Sequence, residues 1–160
     1  KMAFGTGDHH TTSLCLAAVD DFLGAHPGAS VLDVGTGTGV LALAAKKLGA
    51  GRVVGTDNDP KAVALADEAA GENGVAGVEF SGKALGQVKG TFDLVLANIL
   101  ANTLVTLAPL LAAKCAGRLV LAGVLLPQAD EVSRAFTAQG LKPAGRTLEG
   151  EWIRLDFHAR

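Results

Sequence analysis

Residues 31–39 run Val31-Leu32-Asp33-Val34-Gly35-Thr36-Gly37-Thr38-Gly39. A short apolar run breaks into three alternate glycines. The run has the length and composition of a buried strand. Glycine permits the tight turn that must follow it, and lets a ligand come close to the main chain. Beyond the turn, residues 40–48 form an Ala/Leu helix halted by Gly49. The same alternation continues downstream. Residues 52–56 form a second strand closed by Asp57, and Pro60 opens a helix over 61–72, since proline suits a first helical turn. Residues 78–80 and 92–97 are further strands, 101–114 a helix, 118–122 a fifth strand and 128–139 a helix. Residues 141–157 divide into two strands at Glu149-Gly150, and 81–90 is a loop with one helical turn. Upstream, 12–23 has helical spacing, with Leu14, Ala17, Ala18 and Phe22 on one face and Thr11 or Thr12 near the N-cap. Apolar strands alternating with helices predict an α/β fold. The expected architecture is a Rossmann-like, doubly wound, mostly parallel seven-stranded sheet with an antiparallel edge strand and helices on both faces. No internal repeat or linker interrupts it, so residues 1–160 form one domain.

Composition narrows the class. The chain is 49% hydrophobic and 19% charged, a folded composition, and its net charge of -2 argues against a direct nucleic-acid binder. The apolar run 99–113 is broken by Asn102, Thr103, Thr106 and Pro109, which makes it a buried helix and not a membrane span. Cys15 and Cys115 both fall in segments taken as helical, without C-x-x-C spacing. A disulfide framework or a metal site is not expected, and the setting is taken as cytoplasmic. Nothing in the chain fixes an oligomeric state.

The glycine loop lies at the carboxyl end of the first strand, where doubly wound sheets bind ligands. Asp57, with Asn58 beside it, closes the next strand, placed to accept hydrogen bonds from ribose hydroxyls. Together these point to an adenosine-containing ligand. Dinucleotide binders use G-x-G-x-x-G and present a helix N-terminus to a pyrophosphate. Here the spacing is G-x-G-x-G, and Asp33 precedes it. A carboxylate there repels a pyrophosphate and suits an ammonium or a sulfonium. The charge pattern therefore favours S-adenosylmethionine over NAD, with Asp33, Gly35, Thr36, Gly37, Gly39, Asp57 and Asn58 as candidate contacts. The bland alternative is a tight strand–helix turn with Asp33 as a capping group.

At these residues the chain resembles the seven-stranded S-adenosylmethionine-dependent methyltransferases. The segment Met2-Ala3-Phe4-Gly5-Thr6-Gly7-Asp8-His9-His10-Thr11-Thr12-Ser13-Leu14-Cys15-Leu16 resembles the ribosomal protein L11 methyltransferase family in particular. So do Ala97-Asn98-Ile99-Leu100-Ala101-Asn102 and Glu151-Trp152. The resemblance implies four cofactor contacts: Thr12, Gly35, Asp57 and Asn98. It implies transfer of methyl groups to a lysine side chain or N-terminal amine of a ribosomal protein, with no membrane partner. It also implies an N-terminal substrate-recognition domain, which is expected to be absent from this chain, because Lys1-Met2-Ala3-Phe4-Gly5 enters the motif with no lead-in. Two departures stand out. His9-His10 replaces the family's His-Pro, and Ser81-Gly82-Lys83 stands where related enzymes carry an acid for the adenine amino group.

A lysine amine is protonated near neutral pH and must lose its proton before attack. Asn98 is too weak a base to remove it, so its expected role is to orient the amine, the alternative being a cap on the next helix. The aliphatic residues after Asn98 and the lack of tyrosine argue against a flipped DNA base as acceptor. His9 and His10 are expected in an N-terminal loop, Phe4 against the cofactor or the loop, and Trp152 in edge packing. A small-molecule methyltransferase of the same fold and, further off, an NAD-dependent oxidoreductase remain alternatives.

Overall fold

The computed structural model describes residues 8–159. In chain order the elements are α1 (Asp8–Ala25), β1 (Val31–Val34), α2 (Val40–Lys47), β2 (Val53–Thr56), α3 (Pro60–Glu72) and β3 (Val78–Ser81). They continue as β4 (Phe92–Asn98), α4 (Ala101–Lys114), β5 (Cys115–Leu125), α5 (Ala129–Thr137), β6 (Lys142–Glu149) and β7 (Trp152–His158). The seven strands form one sheet in the order β3-β2-β1-β4-β5-β7-β6. The pairings from β3 across to β5 are parallel, whereas β7 runs antiparallel to both β5 and β6. The antiparallel pairing is thus confined to one side, with β7 one place in from the edge and β6 outermost.

Strand periodicity sorts the core into two layers. Leu32 and Val34 join Val95, Ala97, Leu119 and Leu121 on one face, under Leu104 and Leu111 of α4 and Val132 and Phe136 of α5. Val31 joins Leu94, Leu96, Val120 and Ala122 on the other face, under Cys15, Val19 and Leu23 of α1 and Leu41, Ala42 and Ala45 of α2. Alternation of side chains along a strand explains the division. It also puts Asp33 and Asn98, each two residues on from a residue of the second layer, on the α1/α2 side. Pro109 sits inside α4 on an exposed position; it removes one backbone donor, and the helix continues through it. Among the described residues no helix is long and apolar enough to cross a membrane.

Three local expectations are corrected. First, α1 begins at Asp8, so His9 and His10 are helical instead of in a loop, and Thr11 and Thr12 lie inside the helix instead of at its cap. Burial outweighs the weak helix propensity of His and Thr: Thr11 is 1% exposed and shares a face with Leu14, Cys15 and Ala18. Second, Cys115 is not helical; it opens β5 with extended backbone (φ -94°, ψ 116°). Third, β5 is longer at both ends than the apolar run 118–122, because it pairs with β4 on one side and β7 on the other. Its glycines, which look like stops in the sequence, are absorbed; Gly123 sits in a bulge between Leu121 and Val124. The family motif in residues 2–7, including Phe4, lies outside the described residues.

Candidate active site

The strand register builds the site. Val34 of β1 lies level with Thr56 of β2 and Ala97 of β4. The next residue on each strand or its exit is Gly35, Asp57 and Asn98, which therefore gather at one edge of the sheet. The chain passes from β1 to β2 and β3 on one side, then returns to place β4 on the other side of β1. The crevice between β1 and β4 is the switch point at which open α/β sheets take their ligands. A separate cleft of about 530 Å³, lined by Phe22, His26, Arg118 and His158 among others, opens at the opposite edge of the sheet, away from these residues.

The loop glycines are required by geometry. Gly35, Gly37 and Gly39 all have positive φ (73°, 58° and 85°). A Cβ on Gly35 would stand 2.6 Å from Cγ2 of Ile99, and one on Gly39 would stand 2.8 Å from Cζ of Phe80. The backbone N–H groups of Gly35 and Thr36 both donate to the Thr56 carbonyl at 2.8 Å, which folds the loop back over β2. Gly35 itself remains exposed to the crevice.

The two acids take different positions. Asp57 is half-buried; its Oδ2 accepts from the Gly37 N–H and its Oδ1 from the Asp59 N–H, both at 3.0 Å. Each carboxylate oxygen retains accepting capacity, so these bonds aim the group without exhausting it. Asn58, its neighbour, is exposed. Asp33 lies behind the loop, 1% exposed, with Oδ2 accepting from the Thr36 hydroxyl at 2.8 Å. Burial pushes its carboxyl up to about 7; the Thr36 bond works against that shift and the nearby Asp57 charge adds to it. Gly39 is the N-cap residue of α2 and makes no side-chain bond, while the Asp33 carboxylate also accepts from the backbone N–H of Ala42 in the first turn of that helix, as a capping group would.

Asn98 is 6% exposed at the end of β4. Its Nδ2 donates to Oγ1 of Thr11 at 3.3 Å, and its Oδ1, buried, has no partner among the described residues. A buried acceptor left unpaired costs about 1–3 kcal/mol, so it marks a place where a ligand donor is wanted. Asn98 does not cap the following helix either, since α4 starts from Leu100. The family-implied Thr12 is half-buried one residue along α1. The contact to Asn98 comes from Thr11, which sequence reasoning did not single out as a site residue. The signal was present in its helical phase with Leu14, Cys15 and Ala18. His10 projects from the same end of α1, with Nδ1 2.7 Å from Oε2 of Glu149 at the end of β6. Trp152, half-buried, pairs in register with Leu125 at the end of β5. The cysteines are not nucleophiles of this site. Burial pushes the Cys15 thiol up strongly and that of Cys115 up to about 11, which keeps both protonated.

A family model described as ribosomal protein L11 methyltransferase (PrmA) matches residues 1–160. The chain belongs to that family. A ribosomal protein L11 methyltransferase from Myxococcus xanthus is 66% identical over 157 residues, covering 98% of this chain and 54% of that protein. One from Geobacter metallireducens is 51% identical over 160 residues, covering 99% of this chain and 52% of that protein. The chain therefore spans about half the length of the curated L11 methyltransferases it matches. In three dimensions it superimposes on a ribosomal protein L11 methylase from Lactobacillus delbrueckii with a TM-score of 0.88 at 32% identity, covering 96% of this chain and 81% of that one. A magnesium protoporphyrin IX methyltransferase from Synechocystis, solved with S-adenosylmethionine, shares the fold at a TM-score of 0.76 and 21% identity, covering 100% of this chain and 87% of that one. The strand register brings Gly35, Asp57 and Asn98 to one edge of the sheet, and Thr11 of α1 is bonded to Asn98 there.

Proposed function

We propose that this domain binds S-adenosylmethionine in the β1–β4 crevice and directs its methyl group to amino groups of a ribosomal protein, on a lysine side chain, the N-terminus or both. The observation that carries this is the buried, unpartnered Oδ1 of Asn98 beside an exposed glycine and a half-buried carboxylate. Those three features fit a ligand with a ribose at one end and a reacting amine at the other. Asp57 holds the ribose hydroxyls, the exposed backbone at Gly35 lets the ligand lie against the loop, and Thr12 borders it from α1. Asp33, once ionised, places a negative charge behind the loop, favourable to a cation and unfavourable to a pyrophosphate. S-adenosylmethionine supplies a methyl group on a sulfonium, an electrophile that an amine lone pair displaces in line.

The protein's share of the work is placement and exclusion of water. Asn98 Oδ1 accepts a hydrogen bond from the neutral amine and so aims its lone pair. The amine sheds its proton to solvent before attack, since only the neutral form carries a free lone pair. A ribosomal protein as acceptor agrees with the family and with a cytoplasmic setting. The test is transfer of a labelled methyl group from S-adenosylmethionine to a purified ribosomal protein, alongside calorimetric titration with S-adenosylmethionine, its demethylated product and NAD. Saturable binding of the first two and label on acceptor amines are expected. Tighter binding of NAD, or label confined to small amines, would overturn the assignment.

A further inference from the structure

Asn98 sits where an amide has two ways to face. The terminal torsion of asparagine is broad and roughly two-fold, so strand geometry alone does not decide whether oxygen or nitrogen points at the acceptor. The wrong choice presents N–H donors to an amine that has N–H donors of its own. A hydroxyl can donate or accept, and in this structure Thr11 of α1 takes the accepting role. Thr11 is 1% exposed, and its Oγ1 receives the Asn98 Nδ2 at 3.3 Å. The nitrogen end is thereby occupied, and the oxygen end is the one left without a partner. We propose that Thr11 is a positioning residue for methyl transfer, fixing the Asn98 amide so that its oxygen is reserved for the acceptor amine. The inference rests on the role given to Asn98 above.

The surrounding structure holds Thr11 to this task. Its face of α1 is buried along Leu14, Cys15 and Ala18. Arg154 of β7 donates through Nη1 to the Leu14 carbonyl at 2.9 Å while its other nitrogens grip Asp156 at 2.9 and 3.2 Å, fastening the helix to the sheet. On the far side of Asn98, Gly123 has φ 79°, and a Cβ there would lie 2.5 Å from the Ile99 carbonyl oxygen. The asparagine is therefore held from α1, and the backbone of the residue after it packs closely against β5. The adjacent threonines then divide the work, Thr11 toward Asn98 and Thr12 toward the cofactor.

Two variants of the full-length enzyme separate this role from simple packing. Thr11→Val keeps the shape and removes the acceptor; Thr11→Ser keeps the acceptor and removes a methyl. Thr11→Val should lower kcat by roughly ten- to a hundredfold, the scale of a misplaced reacting group. The Kd for S-adenosylmethionine and the KM for the ribosomal protein should stay within about threefold, since the lost bond acts on orientation rather than on affinity. Thr11→Ser should restore most of kcat. In nitrogen-15 spectra the Asn98 side-chain amide should carry a hydrogen-bonded signature in the wild type and Thr11→Ser, and lose it in Thr11→Val. An unchanged kcat in Thr11→Val, a Thr11→Ser variant as impaired as Thr11→Val, or an amide signal indifferent to both would overturn the proposal. If the wild type methylates no ribosomal protein, the substrate assignment fails, and the amide signal still decides the role of Thr11.

Discussion

Asp57 and Asp33 are both acids at the ends of central strands, and their surroundings give them different duties. Asp57 is held at 3.0 Å by two backbone N–H groups and is half-buried, which aims the carboxylate proposed above to take the ribose hydroxyls. Asp57→Ala should weaken S-adenosylmethionine binding by about one to two decades, the value of a charge-assisted bond worth roughly 1.5–3 kcal/mol. An unchanged dissociation constant by calorimetry would remove Asp57 from the site. Asp33 makes a different prediction, because burial raises its carboxyl from 3.8 to about 7. An unfolded chain loses that proton near its ordinary pKa, whereas the folded, ligand-free chain keeps it up to about 7. The stability it contributes is therefore full at low pH and is lost as pH rises through about 7. A cationic ligand favours the ionised carboxylate, so binding below about pH 7 should release a proton, and affinity should tighten as pH rises toward 8. Calorimetry at about pH 6 in buffers of different ionisation heat measures the release directly. Asp33→Asn should abolish it, and a wild type that releases none would show that this carboxyl does not respond to the ligand. The placement of Asp57 and Asn98 at strand ends was legible in the sequence because each stands at the end of an apolar run. Thr11 was not, because its importance depends on where α1 begins and on a partner 87 residues away.

At the scale of elements, the sheet was legible wherever strands are buried on both faces. β1, β2 and β4 announce themselves as apolar runs, and their ends fix the crevice. β6 was legible from the turn at Glu149-Gly150 instead: seven of its eight residues are exposed, and it is held by its ladder to β7 rather than by an apolar pattern. β5 was underestimated because Gly117 and Gly123 look like breakers. In the structure Gly123 gives the strand a bulge that makes room for the Ile99 backbone after β4. Gly123→Ala tests that account. A side chain at φ 79° pays the left-handed penalty of about 1–2 kcal/mol, and its Cβ would press on the Ile99 carbonyl as well. Chemical denaturation should show a loss of at least that size with the slope unchanged. Because Ile99 adjoins Asn98, turnover should fall further than the small unfolded fraction accounts for. A variant of wild-type stability would mean that the bulge does not set the position of the β4 exit.

For the whole molecule, the cofactor half of the site is fastened from several directions within these residues. The loop is bonded to β2, α1 is tied to β7 through Arg154 and to β6 through His10 and Glu149, and the strand ends are fixed by register. Among the described residues nothing comparable singles out a surface for a macromolecular acceptor, and the chain spans only 54% and 52% of two L11 methyltransferases that it matches closely. The isolated 160-residue chain should therefore bind S-adenosylmethionine as tightly as a longer enzyme does, yet methylate a ribosomal protein slowly at low acceptor concentration. Fusing the N-terminal region of a full-length relative ahead of Lys1 should restore the rate, because tethering raises the local acceptor concentration to the order of millimolar without altering the crevice. The mechanism predicts how the recovery divides. Recruitment lowers the KM for the acceptor, whereas kcat at saturating acceptor belongs to Asn98 and its surroundings and should be nearly the same in both proteins. Steady-state transfer of labelled methyl over a wide range of acceptor concentration separates the two quantities. A low KM in the isolated chain would place acceptor recognition within these 160 residues. A kcat that rises with the fusion would mean that the added region completes the active site instead of delivering a substrate to it.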